Sequence, residues 1–470
     1  MFELHHLTAQ EQWDWLQRRE ITPTELTEHY LTRIARLDPG LGAFVTVTAD
    51  AARERAGALA VANERSAPLW GLPFADKDLW QRAGVPTRYG SRLMAEYLPD
   101  ITDELPATLD AAGGISLGKT STPEFGLQSY TETLAGPPAR NPWNTSLGAG
   151  GSSGGAAVAV AAGLLPFAPG SDGGGSIRIP AAATGLVGLK PSRGLVPGGP
   201  GNASLAGLAV AGPIARTVAD AAMLLDAMIG EGEFPFTLRA PRWDGGALLG
   251  AVRGEGRFQI GVTTTTPWDQ AHDIQLSPEA AAALQLAMTE LDNLGHGLEQ
   301  VELEPDDSYA PNFRTVWQAG AAGVPAEREQ LELLDPFTQW LVARGRELSA
   351  RTLAEALAGL AQFERSVIRQ FSRMDAVLTP ALALTPRPIG WYDQLDGDKN
   401  FAQQVQYTPF TSFVNVSGLP AITLPVHQTD DGIPMGVQLI GRPGGEATLL
   451  AIGAQLERNL SWQRRHPPQW

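Results

Sequence analysis

The stretch from Ser153 to Leu165, S-G-G-A-A-V-A-V-A-A-G-L-L, has no polar side chain after its first serine, and most of its residues are small. Wound as a helix it offers no polar face, so it reads as a helix buried on every side. Such a helix needs an interior around it and belongs inside a large domain. A chain of 470 residues with 43% hydrophobic side chains can supply that interior. At 12 residues, 156–167 is too short to cross a bilayer, which takes about 20, and Pro166 interrupts it.

Around this segment helical and strand-like patterns alternate. Residues 1–65 read as an N-terminal helical layer: 8–18 has an acidic start, and in T-P-T-E (22–25) Thr22 can cap a helix with Pro23 in its first position. Residues 72–79 and 115–118 are short apolar strands with a helix-like 103–112 between them. Helical periodicity returns at 217–229, 278–294 and 352–373. Short branched segments at 260–263, 376–379, 421–425 and 436–440 read as strands. This alternation predicts an α/β fold, a central mixed or parallel sheet between helices, with 66–470 as one compact unit. No repeat or low-complexity linker divides the chain. The Gly-, Pro- and Asp-rich stretches 230–256 and 391–397 read as surface loops.

Charge and residue usage narrow the function. The 51 acidic and 35 basic side chains leave a formal charge of −16, and no Lys/Arg stripe is visible, which disfavours nucleic-acid binding. The absence of cysteine removes disulfides, thiolate nucleophiles and Cys-ligated metals and is compatible with a reducing cytoplasm. No secretory signal is visible at the N-terminus, and the expectation is a soluble cytoplasmic protein without a membrane anchor. Only Lys77, Lys119, Lys190 and Lys399 are lysines, against 31 arginines. Where arginine is so general, a surviving lysine marks a place for an ammonium that can lose its proton or for a slimmer cation.

Residues 113–120 match the phosphate-loop pattern G-x-x-x-x-G-K-T, but a helix-like segment precedes them and S-T-P follows. A phosphate loop needs the reverse order, strand before and helix after. A glycine turn into a strand explains the same residues, and nucleotide binding stays a remote alternative. The denser chemistry lies in G-A-G-G-S-S-G-G (148–155) and G-S-D-G-G-G-S-I-R-I-P (170–180), the two loops flanking the apolar helix. Glycines at this density let backbone N–H groups converge on an anion or a developing oxyanion, and Ser176 behind three glycines is a candidate nucleophile. None of the seven histidines lies in a motif, and there is no G-x-S-x-G elbow, so a Ser-His-Asp triad is disfavoured. A lysine with a lowered pKa is the remaining base; Lys77 ends an apolar strand in G-L-P-F-A-D-K-D (71–78).

These residues resemble the amidase signature family. The matches are G-L-P-F-A-D-K-D, G-K-T with E-F (118–125), R-N-P-W (140–143) leading into G-G-S-S-G-G, D-G-G-G-S-I-R-I-P, and G-L-K-P (188–191), followed by a looser C-terminal block at 418–421, 432–436 and 441–443. The resemblance implies a Ser-cisSer-Lys triad in which Ser176 is the nucleophile, Ser152 the bridging serine after a cis peptide, and Lys77 the base. Gly173, Gly174 and Gly175 match the oxyanion loop; Ser153, Asp172 and Arg178 match positions that hold the loops together. It implies amide C–N hydrolysis through an acyl-enzyme, with no metal and no organic cofactor. Gln128 and Tyr130 are expected in the substrate pocket, with 313–317, 337–340 and 391–410 as further walls, which favours bulky apolar or aryl amides, oligoamides or carbamates (urethanes). The alternative within the family is the A-type component of a glutamine-dependent tRNA amidotransferase acting with partner chains. Where that branch carries an acid for the glutamine amine, this chain offers Thr408. Residues 334–351 and 461–467 look more like stand-alone bacterial amidases, including hydrolases of cyclic nylon oligomers. Homodimers are common among relatives.

Overall fold

The computed structural model describes residues 3–62, 65–197, 204–229 and 247–470. Its strands fall into two sheets rather than one. The smaller has three strands in the order β1 (Phe44–Val47), β3 (Ile115–Thr120), β2 (Pro73–Lys77); β2 and β3 are parallel, and β1 runs antiparallel to β3. The larger has eight: β4 (Phe167–Asp172), β5 (Val187–Lys190), β6 (Val210–Ala215), β7 (Gln259–Val262), β8 (Gly297–Gln300), β9 (Ala376–Pro380), β10 (Ala421–Gln428) and β11 (Pro434–Gly441), in the order β4-β6-β5-β10-β11-β9-β7-β8. Pairing is antiparallel from β4 to β9 and parallel across β9, β7 and β8, so the sheet is mixed and the fold α/β, as expected.

Alternation along β10 covers both faces of the larger sheet. Ile422 and Leu424 meet the helix Glu446–Leu460, where a Cβ added to Gly453 would touch both. Thr423 points the other way, beside the helix Arg178–Thr184. The apolar segment forms the helix Gly154–Ala161, every residue buried. Its glycines are set by close approach: a Cβ at Gly154 would fall 2.3 Å from Thr131 Oγ1, and one at Gly155 2.3 Å from the Ser121 nitrogen.

The expected Thr22 cap forms, closing a capping box with Glu25, and Pro23 opens its helix; Thr8 closes a second capping box with Glu11. The N-terminal layer is not purely helical, because Phe44–Val47 leaves it to pair with β3. Its helices share one hydrophobic core with residues of β4, β5 and β10. Residues 113–120 are a turn into β3, with Gly113 at φ +87° and no helix directly after Thr120, so the phosphate-loop setting is absent. Of the expected loop 230–256, residues 230–246 lie outside the described set, and Leu248–Arg253 is a short 3-10 helix. Among the described residues no helix is long and apolar enough to cross a membrane.

Candidate active site

The buried helix carries a glycine-serine loop into its N-terminus, and β4 leaves its C-terminus for the other, which brings both loops against the end of β2. Lys77, the last residue of β2, is fully buried. Its Nζ lies 2.8 Å from Ser152 Oγ, 3.0 Å from Ser153 Oγ and 2.9 Å from Ser171 Oγ. Hydroxyls both donate and accept, so this setting accommodates an ammonium or a neutral amine. Burial pulls the Lys77 amine from 10.5 down to about 7, against the opposing pull of Asp172. Both protonation states are therefore populated near neutral pH.

The three hydroxyls are not equivalent. Ser153 Oγ donates to Ser171 O at 3.1 Å and accepts from Ser171 N–H at 3.2 Å, while Ser153 N–H donates to Ser176 O at 3.1 Å. With Lys77 also donating to it, the Ser153 hydroxyl is saturated and ties the two loops together, the supporting part expected of it. Ser152, which follows a cis Gly151–Ser152 peptide bond, opens onto a cavity shared with Ser171, Gly173 and Ser176. No hydrogen bond joins Ser152 to Ser176 among the described residues. Ser171, whose neighbour Asp172 was singled out, was missed; a serine two residues before the glycine triplet is the signal that could have found it.

Asp172 and Arg178 form a buried pair that shapes the 172–178 loop. Arg178 Nε and Nη2 donate to the two carboxylate oxygens at 2.9 Å each, and Gly175 N–H and Ile177 N–H donate to them at 2.7 and 3.1 Å. Arg178 reaches on to Thr411 O, Gln438 Oε1 and Asn415 Oδ1, and Asn415 Nδ2 returns to Asp172. Burial alone would raise the Asp172 carboxyl, but the Arg178 guanidinium and its hydrogen bonds outweigh it and hold the group well below the usual carboxylate range. The Gly175 N–H is thereby turned to Asp172. Gly173 lines one cavity beside Ser176 and Gly174 the other, with Ser176 on both. Gly175 is required for another reason: at φ +131°, a Cβ would fall 2.4 Å from Thr411 Oγ1.

The expected pocket residues part company. Gln128 lines a cavity beside Ser176 and donates to Thr338 Oγ1 at 3.2 Å. Tyr130 lines neither cavity that reaches Ser176. Its hydroxyl accepts from Asn400 Nδ2 at 3.0 Å and Gln394 Nε2 at 3.2 Å, its ring stacks on Tyr392, and its backbone packs where a Cβ at Gly151 would clash. Tyr130 therefore backs the Ser152 turn. Phe313, Trp317, Phe337 and Phe401 do line the cavity, joined by Trp268 and Ile179, which the sequence reading passed over; Trp340, Trp391 and Tyr392 do not. Thr408 also lines it, with its hydroxyl donating to Gln404 O at 3.0 Å.

The other lysines have other tasks. Lys119 is buried against Asp78, Lys399 pairs with Asp393 at the surface, and Lys190 donates to Pro191 O at 3.0 Å. Lys190 is also lowered to about 7, by burial and by Arg178, but it lines neither cavity, so position and not basicity singles out Lys77. Among the described residues, Glu3, His5 and His29 bring possible metal-ligand atoms within 4.8 Å of one another. They lie in the N-terminal layer with Arg33 3.6 Å from Glu3, and line neither cavity.

Comparison with known proteins agrees with this geometry. The amidase family model matches residues 25–450. AmiB2, a Mycobacterium tuberculosis protein assigned as an amidase, is 39% identical over 455 residues, 95% of each chain. The A-type component of the glutamyl-tRNA(Gln) amidotransferase of Acinetobacter baumannii is 32% identical over 494 residues, 99% of this chain and 98% of that one. The structure of a 6-aminohexanoate cyclic dimer hydrolase complexed with substrate superposes with a TM-score of 0.90 at 32% identity, covering 99% of both chains. This chain belongs to the amidase family, the amidase signature enzymes that hydrolyse amide C–N bonds.

Proposed function

We propose that the enzyme is a stand-alone amidase that cleaves bulky apolar or aryl amides, oligoamides or carbamates through an acyl-enzyme on Ser176. The observation that carries this reading is a buried, neutralisable lysine hydrogen-bonded to Ser152, which lines the cavity that also holds Ser176 and Gly173. Neutral Lys77 accepts the Ser152 hydroxyl proton as Ser152 takes the proton of Ser176, whose Oγ bonds to the carbonyl carbon. The N–H groups of Gly173, Gly174 and Ser176 receive the oxyanion. As the C–N bond breaks, Ser152 delivers its proton to the departing nitrogen and recovers one from Lys77. Water then repeats the sequence on the ester, releasing the acid and Ser176. An amine leaves poorly unless protonated, so a relay that both accepts and returns a proton suits amides. Among the described residues Ser152 and Ser176 are not hydrogen-bonded to each other, and catalytic contacts of this kind form or tighten when substrate binds.

Against the amidotransferase alternative stands the lining around Ser176. Thr408 occupies the place of the acid, and among the described residues the smaller cavity has no charged side chain to meet a glutamine ammonium. The cysteine-free chain suits a cytoplasmic setting. Treatment with a serine-reactive fluorophosphonate and peptide mapping tests the triad: label is expected on Ser176 and sharply reduced in Lys77→Ala. An unlabelled Ser176 in folded protein, or equal labelling without Lys77, would sink it.

A further inference from the structure

Ser176 stands where two cavities of different character meet. The smaller, about 60 Å3, is walled by Trp268, Phe313, Trp317, Phe337 and Phe401 and has no charged side chain among the described residues of its lining. The larger, about 400 Å3, has mixed walls, and among the described residues Asp103 is the one carboxylate on them. Trp317 and Leu127 belong to both, and Trp317 Nε1 donates to Leu127 O at 3.2 Å, which fixes the indole between them. A Cβ on Gly173 would touch that ring at 3.5 Å, so the partition reaches the loop beside the nucleophile.

The proton source distinguishes the two sides. Ser152 and Ser171 line the larger cavity and not the smaller. The departing nitrogen must lie within hydrogen-bond reach of the hydroxyl that protonates it. Resting on the Ser176 acyl-enzyme reading, we infer that the leaving amine occupies the larger cavity and the acyl group the aromatic one, with Trp317 as the partition and the specificity-determining side chain. The acyl group is then apolar, uncharged and compact, of aryl or branched-alkyl size. The amine is longer, neutral or cationic at its far end, because an anion would face Asp103. Breakage of the C–N bond leaves the acyl carbon on Ser176 Oγ inside the aromatic cavity and frees the amine, with the relayed proton, into the larger one.

Gly320 offers a clean test. It lies on the helix Tyr309–Ala321, lines the larger cavity, and a Cβ there meets nothing within 4 Å, so Gly320→Phe places a ring in open space. Val405 lines only the smaller cavity, and Val405→Ala enlarges it. Two substrate series are compared by kcat/KM: benzamides with ammonia, butylamine or octylamine as the leaving group, and N-butyl amides with acetyl, benzoyl or decanoyl as the acyl group. Gly320→Phe is expected to lower the octyl-to-ammonia ratio at least tenfold while keeping the wild-type order of acyl groups. Val405→Ala is expected to shift preference toward the larger acyl group and leave the amine series in its order. If Gly320→Phe reorders the acyl series, or neither series responds to its variant, the assignment of sides is overturned. Gly320→Leu repeats the test should the phenylalanine variant melt early. Loss of fluorophosphonate labelling at Ser176 would instead locate the failure in the acyl-enzyme reading, since the two cavities do not determine that label.

Discussion

Two buried lysines sit on neighbouring strands of the small sheet and have been given opposite surroundings. In the β2–β3 register Lys77 faces Thr120 and Asp76 faces Lys119. Lys119 donates to Trp80 O and Thr87 Oγ1 and lies 3.5 Å from Asp78. Burial lowers its amine, while Asp78 and Asp76 oppose that shift. Lys77 has three hydroxyls and no carboxylate in contact; its opposing acid, Asp172, is already bound to Arg178. Equal burial thus yields a fixed counter-ion in one case and an exchangeable proton in the other, and the difference lies in the partners rather than in the depth.

The sharpest way to break this contrast is to remove each ammonium. Lys77→Ala should cost about 10²–10⁴-fold in kcat/KM, the usual contribution of a general base, and Lys77→Arg should fare little better because a guanidinium does not give up its proton. Steady-state kinetics on protein of unchanged circular dichroism checks it, and activity within tenfold of wild type would remove Lys77 from the relay. Lys119→Met should act on stability instead. Leaving Asp78 buried without its cation costs about 3–5 kcal/mol, read from urea denaturation; a small stability change with a collapsed kcat would invert the assignment.

The pH dependence sharpens the comparison further. With Lys77 at about 7 in the fold, kcat/KM should rise with pH through that value and level off above it. Below 7 folded and unfolded chains both hold this proton, and between 7 and 10.5 only the unfolded one does, so the Lys77 contribution to stability climbs with pH across that window. An acid limb far from 7 would count against the neutral-lysine base. Ser171→Ala, which takes away one hydrogen-bond acceptor of the ammonium, should move that limb to lower pH with only a several-fold loss in kcat/KM. A loss as large as that of Ser152→Ala would make Ser171 the bridging hydroxyl. The smallest effect belongs to Tyr130→Phe, about 1–2 kcal/mol of stability from two lost partners, with KM unchanged if the ring backs the Ser152 turn.

Much of this was legible in the sequence because the chemistry is local. The two glycine-serine loops, the G-L-P-F-A-D-K-D strand and the capped N-terminal helices lie in contiguous runs whose constraints are backbone constraints, and they fold as read. Two kinds of feature were not legible. One is the use of a backbone donor: nothing in G-G-G-S says that the Gly175 N–H turns back to Asp172, since that follows from the Arg178 fork fixing the carboxylate. The other is pocket membership. Tyr130 and Trp268 are both buried aromatics, and only the long-range pairing of their helices and loops sends one behind the Ser152 turn and the other into the cavity. The division of the strands into two sheets was hidden for the same reason, because β1 comes from a segment whose flanks are helical.

That strand has a consequence for how the chain can be trimmed. Phe44–Val47 occupies the outer edge of β3, whose other edge is taken by β2 and, at its end, Lys77. A chain shortened by its first 65 residues would leave the β1-facing edge of Gly118–Thr120 unpaired, a ready template for another chain's strand. The N-terminal layer is therefore the cover that keeps the lysine strand's neighbour from self-association, and truncation should be met by aggregation before any loss of catalytic geometry.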